Sequence, residues 1–142
     1  MAAIIERRYA RTMHPFHAVL LAGTIPLFLG AALSDVAYAR TYQVQWINFA
    51  SWLLVGGLVF AGLALLFAVI DMFRADRRSR NLVVHVAPLL AMWILGFVNA
   101  LVHARDAWAS MPAGLMLSVI VTLLACVATW IGFSTSRDGA TA

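Results

Sequence analysis

The sequence predicts an all-α integral membrane protein, a bundle of four transmembrane helices with both termini on the cytoplasmic side. Its 142 residues are 63% hydrophobic and 11% charged, with a mean hydropathy of +0.89, which is far more apolar than a soluble domain. The apolar residues fall into four runs, each long enough to cross a bilayer core as a helix. All ten basic residues are arginines, and they concentrate in two of the segments between and before these runs.

The first predicted span covers about residues 15–38. It begins at Pro15, where a proline is tolerated because its missing N–H group would have no helical partner. Pro26 removes a backbone hydrogen bond near mid-membrane and is expected to kink the helix. His17 and Asp35 are eighteen residues apart, which is five full helical turns. They therefore lie on one face of the helix, apart from any change of phase at the kink.

The second and third predicted spans cover about residues 46–73 and 82–103. The second begins at Trp46, a position typical of an interfacial aromatic anchor. The third carries His85 and His103, which are again eighteen residues apart and share one face. Ionisable groups at membrane depth are costly, and they usually face a bundle interior or an aqueous pocket. The polar pairs of the first and third spans therefore indicate two polar sites, one near each membrane face.

The fourth predicted span covers about residues 112–133 and has no ionisable side chain, so we expect it to close the bundle. Seven of the ten arginines precede the first span or join the second to the third. By the positive-inside rule those segments, and hence both termini, face the cytoplasm. The isoelectric point of about 10.2 then reflects topology and contact with anionic lipid, so the expected partner is a bilayer and not a nucleic acid. The spans leave room for a single membrane domain over residues 1–142.

Histidines define the predicted cytoplasmic site. His17 and His85 lie at similar depth, and His14 precedes His17 by three residues. Two imidazoles on facing helices are a common axial ligand pair for a b-type haem, whose iron they would coordinate. Two alternatives stay open at this point: a zinc-type site that adds His14 and Asp71, and histidines that only hydrogen-bond lipid or backbone.

The predicted external site combines acidic, basic and aromatic side chains. A quinone headgroup needs a group that hydrogen-bonds a carbonyl and an acid or base that exchanges its proton. The alternatives are a surface network that stiffens the loops and a docking face for a periplasmic partner. The candidate residues of this quinone or partner site are Asp35, His103, Arg105, Asp106, Trp46 and Trp108.

Several enzyme and transport classes lack their signatures. The sequence has no glycine-rich phosphate loop, nucleophile elbow or HExxH motif, so nothing supports a nucleotide enzyme or a hydrolase. It also lacks a ring of charge within the membrane and the paired broken helices of transporters. A small-molecule permease is therefore the least favoured alternative.

Four strings resemble those of a known family: His14-Pro15-Phe16-His17, Ser34-Asp35, Asp71, and His103-Ala104-Arg105-Asp106-Ala107-Trp108. They are similar to a family of small four-helix bacterial membrane proteins catalogued as domain-of-unknown-function family 2231, and the resemblance covers nearly the whole chain. Some of that family's members occur beside, or fused to, sorbosone-dehydrogenase-like quinoproteins of the periplasm. The resemblance implies a membrane partner that anchors such an enzyme and passes its electrons towards ubiquinone.

Together these observations predict a multi-pass protein of the bacterial inner membrane. Its expected role is an electron-transfer or non-catalytic subunit of a respiratory quinoprotein-type dehydrogenase system, with a periplasmic quinoprotein dehydrogenase as partner. Haem b would bind between His17 and His85, and ubiquinone would be the electron acceptor. The leading alternative is a cofactor-free structural or assembly protein, and a homo-oligomer is compatible with either function.

Overall fold

A computed structural model describes residues 13–74 and 80–141, with the side chains of residues 13–73 and 83–134. The helices described are α1 (Pro15–Thr41), α2 (Val44–Arg74), α3 (Arg80–His103), the single turn α4 (Ala107–Ser110) and α5 (Ala113–Thr141). All but α4 are long and apolar enough to cross a membrane. This confirms the predicted all-α fold with four spans, whereas the orientation in the membrane stays a prediction.

Local capping explains where α1 begins and ends. The Nδ1 atom of His14 accepts a hydrogen bond from the backbone N–H of Phe16 at 3.2 Å, and Pro15 occupies the first helical position. At the other end Tyr42 is in the left-handed conformation, with φ of 54°, and its N–H donates to the carbonyl of Tyr38 at 2.8 Å. This tight turn allows α2 to begin at Val44, directly after α1.

The four long helices form a ring. α1 packs on α2, α2 on α3, α3 on α5, and α5 on α1, so α1 and α3 lie opposite each other across the bundle axis. The buried core is built largely from alanine and leucine, with Phe28 at its centre. Large apolar side chains such as Trp52, Phe73 and Trp130 are exposed on the outside of the ring. An apolar exterior around a packed interior is the arrangement expected of a lipid-facing bundle.

The two halves of the ring share one pattern of buried positions. The buried face of α3 repeats that of α1 at an offset of 68 residues, the separation of His17 from His85. The buried face of α5 repeats that of α2 at an offset of 64 residues, from Ala50 to Gly114. Positions 17, 21, 24, 28, 31 and 35 thus match 85, 89, 92, 96, 99 and 103, and positions 50, 54, 57, 61, 64 and 68 match 114, 118, 121, 125, 128 and 132. The bundle is therefore two helical hairpins related by a pseudo-twofold axis parallel to the helices.

An apolar layer separates the two ends of this axis. Phe28 is fully buried, and its ring fills the space left by two glycines. A Cβ atom on Gly57 would lie 2.6 Å from the Phe28 ring, and one on Gly96 would lie 3.6 Å from it. Leu21, Leu89 and Met92 are also fully buried between the polar ends. Polar groups at one end of the axis are therefore isolated from those at the other.

Candidate functional site

Two buried polar pairs join α1 to α3 across the bundle axis. We call the end where α1 and α3 begin the proximal end, with His17 and His85, and the end where they finish the distal end, with Asp35 and His103. Each pair is 68 residues apart in sequence, and none of the four residues is more than 9% exposed. α1 continues through Pro26 without moving His17 and Asp35 off the buried face. Because the two polar residues are eighteen positions apart in both α1 and α3, and these helices are parallel, the contact at one end is matched by a contact at the other.

The distal pair is a hydrogen-bonded acid and base. The Nε2 atom of His103 lies 2.8 Å from Oδ1 of Asp35. The hydroxyl of Ser118, on α5, donates to Oδ2 of the same carboxylate at 2.5 Å. Both oxygens of the buried carboxylate are therefore partnered, as an acid inside a membrane bundle requires. Sequence reasoning missed Ser118, although small polar residues in spans often bond to a neighbouring helix.

Asn99 completes the distal network. Its hydrogen bonds are best satisfied when its amide nitrogen donates to Nδ1 of His103 at 3.1 Å and to the carbonyl of Gly114 at 3.2 Å. In that orientation its amide oxygen accepts from the backbone N–H of Ser118 at 3.2 Å, while the hydroxyl of Ser118 keeps donating to Asp35. The backbone carbonyl of Asn99 also lies 3.0 Å from Nδ1 of His103, where it accepts a hydrogen bond once that nitrogen is protonated. His103 thus has a partner on Nδ1 whether or not that atom carries a proton.

Gly114 permits this arrangement. A Cβ atom on Gly114 would lie 2.8 Å from Cε1 of His103, well inside van der Waals contact. The imidazole is held by hydrogen bonds at both nitrogens and has little freedom to move aside. The close approach of α5 to α3 therefore depends on the missing side chain.

A groove of about 410 Å³ opens beside the distal pair. The beginning of α2 lines one side, and the connection after α3 lines the other. His103 is the residue that joins the groove to the buried carboxylate, because it lines the groove and bonds Asp35. The full lining is Val44, Gln45, Ile47, Asn48, Ser51, His103, Arg105, Asp106 and Ala107.

The structure separates the other predicted distal residues. Arg105 and Asp106 line the groove with His103, while Asp35 lies behind it. Trp46 is at the beginning of α2 but outside that lining. Trp108 is 77% exposed and stacks on Tyr42, with ring centroids 5.4 Å apart and planes 15° apart. The aromatic residues therefore belong to the outer surface of the distal end and not to the groove.

The proximal pair is arranged differently. The Nε2 atoms of His17 and His85 face each other at 3.4 Å, and the two rings meet edge to face. Both Nδ1 atoms are buried, and neither has a hydrogen-bond partner within the part of the chain that the structure describes. Phe67 packs its ring against His17 at a centroid distance of 6.2 Å. The proximal imidazoles are thus close together but not fully hydrogen-bonded.

Other predicted proximal residues lie away from the pair. His14 is exposed and caps α1, so its ring does not point into the bundle with His17. Asp71 is exposed on α2 and interacts electrostatically with both buried imidazoles. Among the described residues no group of three or more His, Cys, Asp or Glu side chains is placed to hold a metal ion. The four-ligand zinc alternative is therefore not assembled here.

The facing imidazoles have the donor atoms of a haem site but not its geometry. Metal–imidazole bonds are about 2.0–2.1 Å long, so two axial ligands stand about 4 Å apart. The observed 3.4 Å is shorter, and the Phe67 ring packs against His17 at a centroid distance of 6.2 Å. The pair as arranged here does not fit a haem. The haem stays a prediction, with the condition that the two rings move apart.

Comparison with known proteins gives one match. A family model described as a predicted membrane protein, DUF2231, matches residues 13–140, which include α1 to α4 and all but the last residue of α5. No curated protein and no solved structure matches the chain. The four strings that resemble this family all lie inside the matched region. The chain belongs to the DUF2231 family of predicted membrane proteins.

Proposed function

We propose that this protein is a membrane subunit that binds a quinone headgroup in the distal groove and exchanges a proton with it through His103. One observation carries the proposal. His103 is both a wall of the groove and a hydrogen-bond partner of the buried Asp35 carboxylate. An imidazole backed by a carboxylate is suited to proton exchange, because histidine changes charge near neutral pH and the acid holds its ring in place.

The distal network provides hydrogen-bond partners for both the neutral and the protonated form of His103. When Nδ1 of His103 is unprotonated, the amide of Asn99 donates to it. When Nδ1 takes up a proton, the backbone carbonyl of Asn99 accepts that proton's hydrogen bond, and Asp35 balances the new positive charge. Ser118 keeps the second carboxylate oxygen satisfied in both states. Proton uptake therefore needs only local changes within the network. Because both ring nitrogens are engaged and the side chain is 1% exposed, exchange with a ligand in the groove requires one of these hydrogen bonds to open.

The walls of the groove suit the two parts of a quinone. Val44 and Ile47 offer apolar surface to the ring, and the amides of Gln45 and Asn48 offer donors to a carbonyl oxygen. Arg105 adds a positive charge that stabilises a reduced, negatively charged oxygen.

The wider assignment is part of the same proposal. The subunit would belong to a quinoprotein-type dehydrogenase system of the bacterial inner membrane, anchor a periplasmic partner and pass its electrons towards ubiquinone. The exposed Tyr42–Trp108 stack at the distal end offers an aromatic contact to such a partner. Quinone binding at the distal end does not require the haem b predicted between His17 and His85, which the pair at its 3.4 Å spacing does not fit.

Quinone binding to the purified protein in lipid nanodiscs tests the proposal. We would titrate a short-chain ubiquinone and follow quenching of tryptophan fluorescence. His103→Gln, which keeps a hydrogen-bonding group but cannot take up a proton, should weaken binding about tenfold and remove its dependence on pH. His14→Asn is the matched control, because it removes an exposed histidine and keeps a residue that caps α1.

Three results would contradict the proposal. They are no saturable quinone binding, equal affinity in the parent and His103→Gln, and an equal loss in His14→Asn. A protein that binds no quinone but copurifies with a periplasmic dehydrogenase would instead support the cofactor-free anchor. A dithionite-reduced minus oxidised spectrum, recorded after expression with haem supplied, tests the haem separately.

A further inference from the structure

The proximal histidines leave a hydrogen-bonding problem that no neutral tautomer solves. If one Nε2 donates to the other, the accepting ring carries its proton on Nδ1, and that buried N–H group has no acceptor among the described residues. If both protons sit on Nδ1, the two Nε2 lone pairs point at each other across 3.4 Å. Each arrangement leaves at least one buried polar group without a partner, which is costly inside a bundle.

A metal ion between the two Nε2 atoms removes the conflict between the lone pairs. Both rings then carry their proton on Nδ1, and these two N–H groups still have no acceptor among the described residues. With metal–imidazole bonds of about 2.0–2.1 Å, two ligands at an angle of about 110–120° place their nitrogens about 3.3–3.6 Å apart. The observed 3.4 Å falls within that range. The spacing that is too short for an axial pair on haem is therefore suited to two ligands of a trigonal or tetrahedral ion.

Met13 is the candidate for a third donor of a different kind, a thioether sulfur. It is partly buried against the core, two residues before α1 begins. Its methyl carbon lies 3.2 Å from the position that a Cβ atom of Gly132 would take, and Cε1 of His85 lies 2.9 Å from the same point. The Cδ2 atom of Leu21 lies 2.6 Å from that point, so the methyl end of Met13, the edge of the His85 ring and Leu21 all border the space beside Gly132.

These ligands select a particular class of ion. Thioether and imidazole together favour Cu(I), which accepts low coordination numbers, whereas zinc in structural sites takes four ligands. The only described acidic residue that acts on the pair is the exposed Asp71, so a monovalent ion leaves less uncompensated charge than a divalent one. The pseudo-twofold axis presents the same residue type from α1 and α3, so an ion on that axis meets two equal ligands.

We propose that His17, His85 and Met13 form a Cu(I)-binding site at the proximal end of the bundle. The site lies about 27 Å along α1 from the distal pair, at 1.5 Å per residue, with the apolar layer of Phe28 between them. It is independent of the quinone proposal. The protein can bind copper without quinone, or quinone without copper.

The test is an anaerobic titration of the purified full-length chain with Cu(I), in competition with a chromophoric Cu(I) chelator. All variants carry Cys126→Ser, because the single cysteine is exposed on α5 and would bind copper by itself. We expect one copper ion per chain. His17→Leu and His85→Leu should each weaken binding about 100-fold or more, and Met13→Leu about tenfold. Met116→Leu, an exposed methionine on α5, is the matched control and should bind like the parent.

X-ray absorption spectroscopy of the copper-loaded parent identifies the ligand atoms directly, so the proposal can be tested even if a variant folds poorly. The proposal expects two nitrogen ligands and one sulfur ligand around the copper. It is overturned if the Cys126→Ser parent does not retain copper, if the histidine variants bind copper as tightly as the parent, or if the spectrum shows no nitrogen ligand. A b-type haem that disappears in His17→Leu and His85→Leu would also overturn it, because the imidazoles would then ligate haem iron.

Discussion

At the distal end α1 and α3 present Asp35 and His103, and eighteen residues earlier they present His17 and His85. The four positions are equivalent in geometry, since both pairs cross the same axis between the same two helices. They differ in what surrounds them. Asn99 and Ser118 satisfy the distal pair, whereas both proximal Nδ1 atoms lack a partner in the described part of the chain.

This difference shows what kind of role each end can have. A buried acid–base pair with every oxygen and nitrogen partnered holds the bundle together and moves a proton with little rearrangement. A buried pair of imidazoles with unmet hydrogen bonds adds little to stability by itself and gains most from a ligand. We therefore expect the two ends to respond oppositely to removal of their polar groups. Four variants test this comparison, from the largest expected effect to the smallest.

Asp35→Ala should have the largest effect. It leaves His103 and Ser118 buried without their shared acceptor, and we expect the free energy of unfolding to fall by about 3 kcal/mol. Unfolding by SDS in mixed micelles measures the loss. The double variant Asp35→Leu/His103→Leu is the control, because removing both members of the pair should recover much of that loss. Parent-like unfolding of Asp35→Ala would mean that the distal pair does not stabilise the bundle.

Gly114→Ala should be next. The added Cβ would lie 2.8 Å from Cε1 of His103, whose ring is fixed by hydrogen bonds, so we expect a loss of about 1–3 kcal/mol. Gly56→Ala is the matched control, since its Cβ would meet only Leu27 at an ordinary 3.5 Å. The same unfolding assay should show little change for that variant. An equal effect of both substitutions would point to a general helix effect rather than to His103.

Ser118→Ala should have a smaller effect of about 1 kcal/mol. It removes the donor to Oδ2 of Asp35 but leaves the bond between Asp35 and His103 in place. Ser51→Ala is the control, because the hydroxyl of Ser51 donates only to the carbonyl of Ile47 in its own helix. We expect thermal unfolding in detergent to rank Ser118→Ala below Ser51→Ala, and the reverse order would remove Ser118 from the distal network.

The double variant His17→Leu/His85→Leu should have the smallest effect, and it should be of opposite sign. In metal-free buffer with a chelator, removing two unsatisfied imidazoles in favour of apolar side chains should leave stability unchanged or raise it by about 1 kcal/mol. Adding Cu(I) should raise the melting temperature of the parent and not that of the variant. A loss of several kcal/mol without metal would show that the proximal pair is satisfied by groups outside the described residues.

The amino-acid sequence alone determined the parts of this protein that depend on one helix at a time. Run length and hydropathy predict the four spans, and the helical period places His17 with Asp35, and His85 with His103, on common faces. The same local information identifies the family. These features need no knowledge of which helix packs on which.

Only the tertiary structure decided which faces meet. Helix period does not show that α1 and α3 lie opposite each other, that Ser118 on α5 reaches Asp35, or that His14 caps α1 instead of joining His17. Those outcomes depend on where small residues let helices approach, as Gly114 does beside His103 and Gly132 beside His85. The physical reason is that periodicity acts along one helix, whereas neighbour choice depends on how all the buried faces fit together in the bundle.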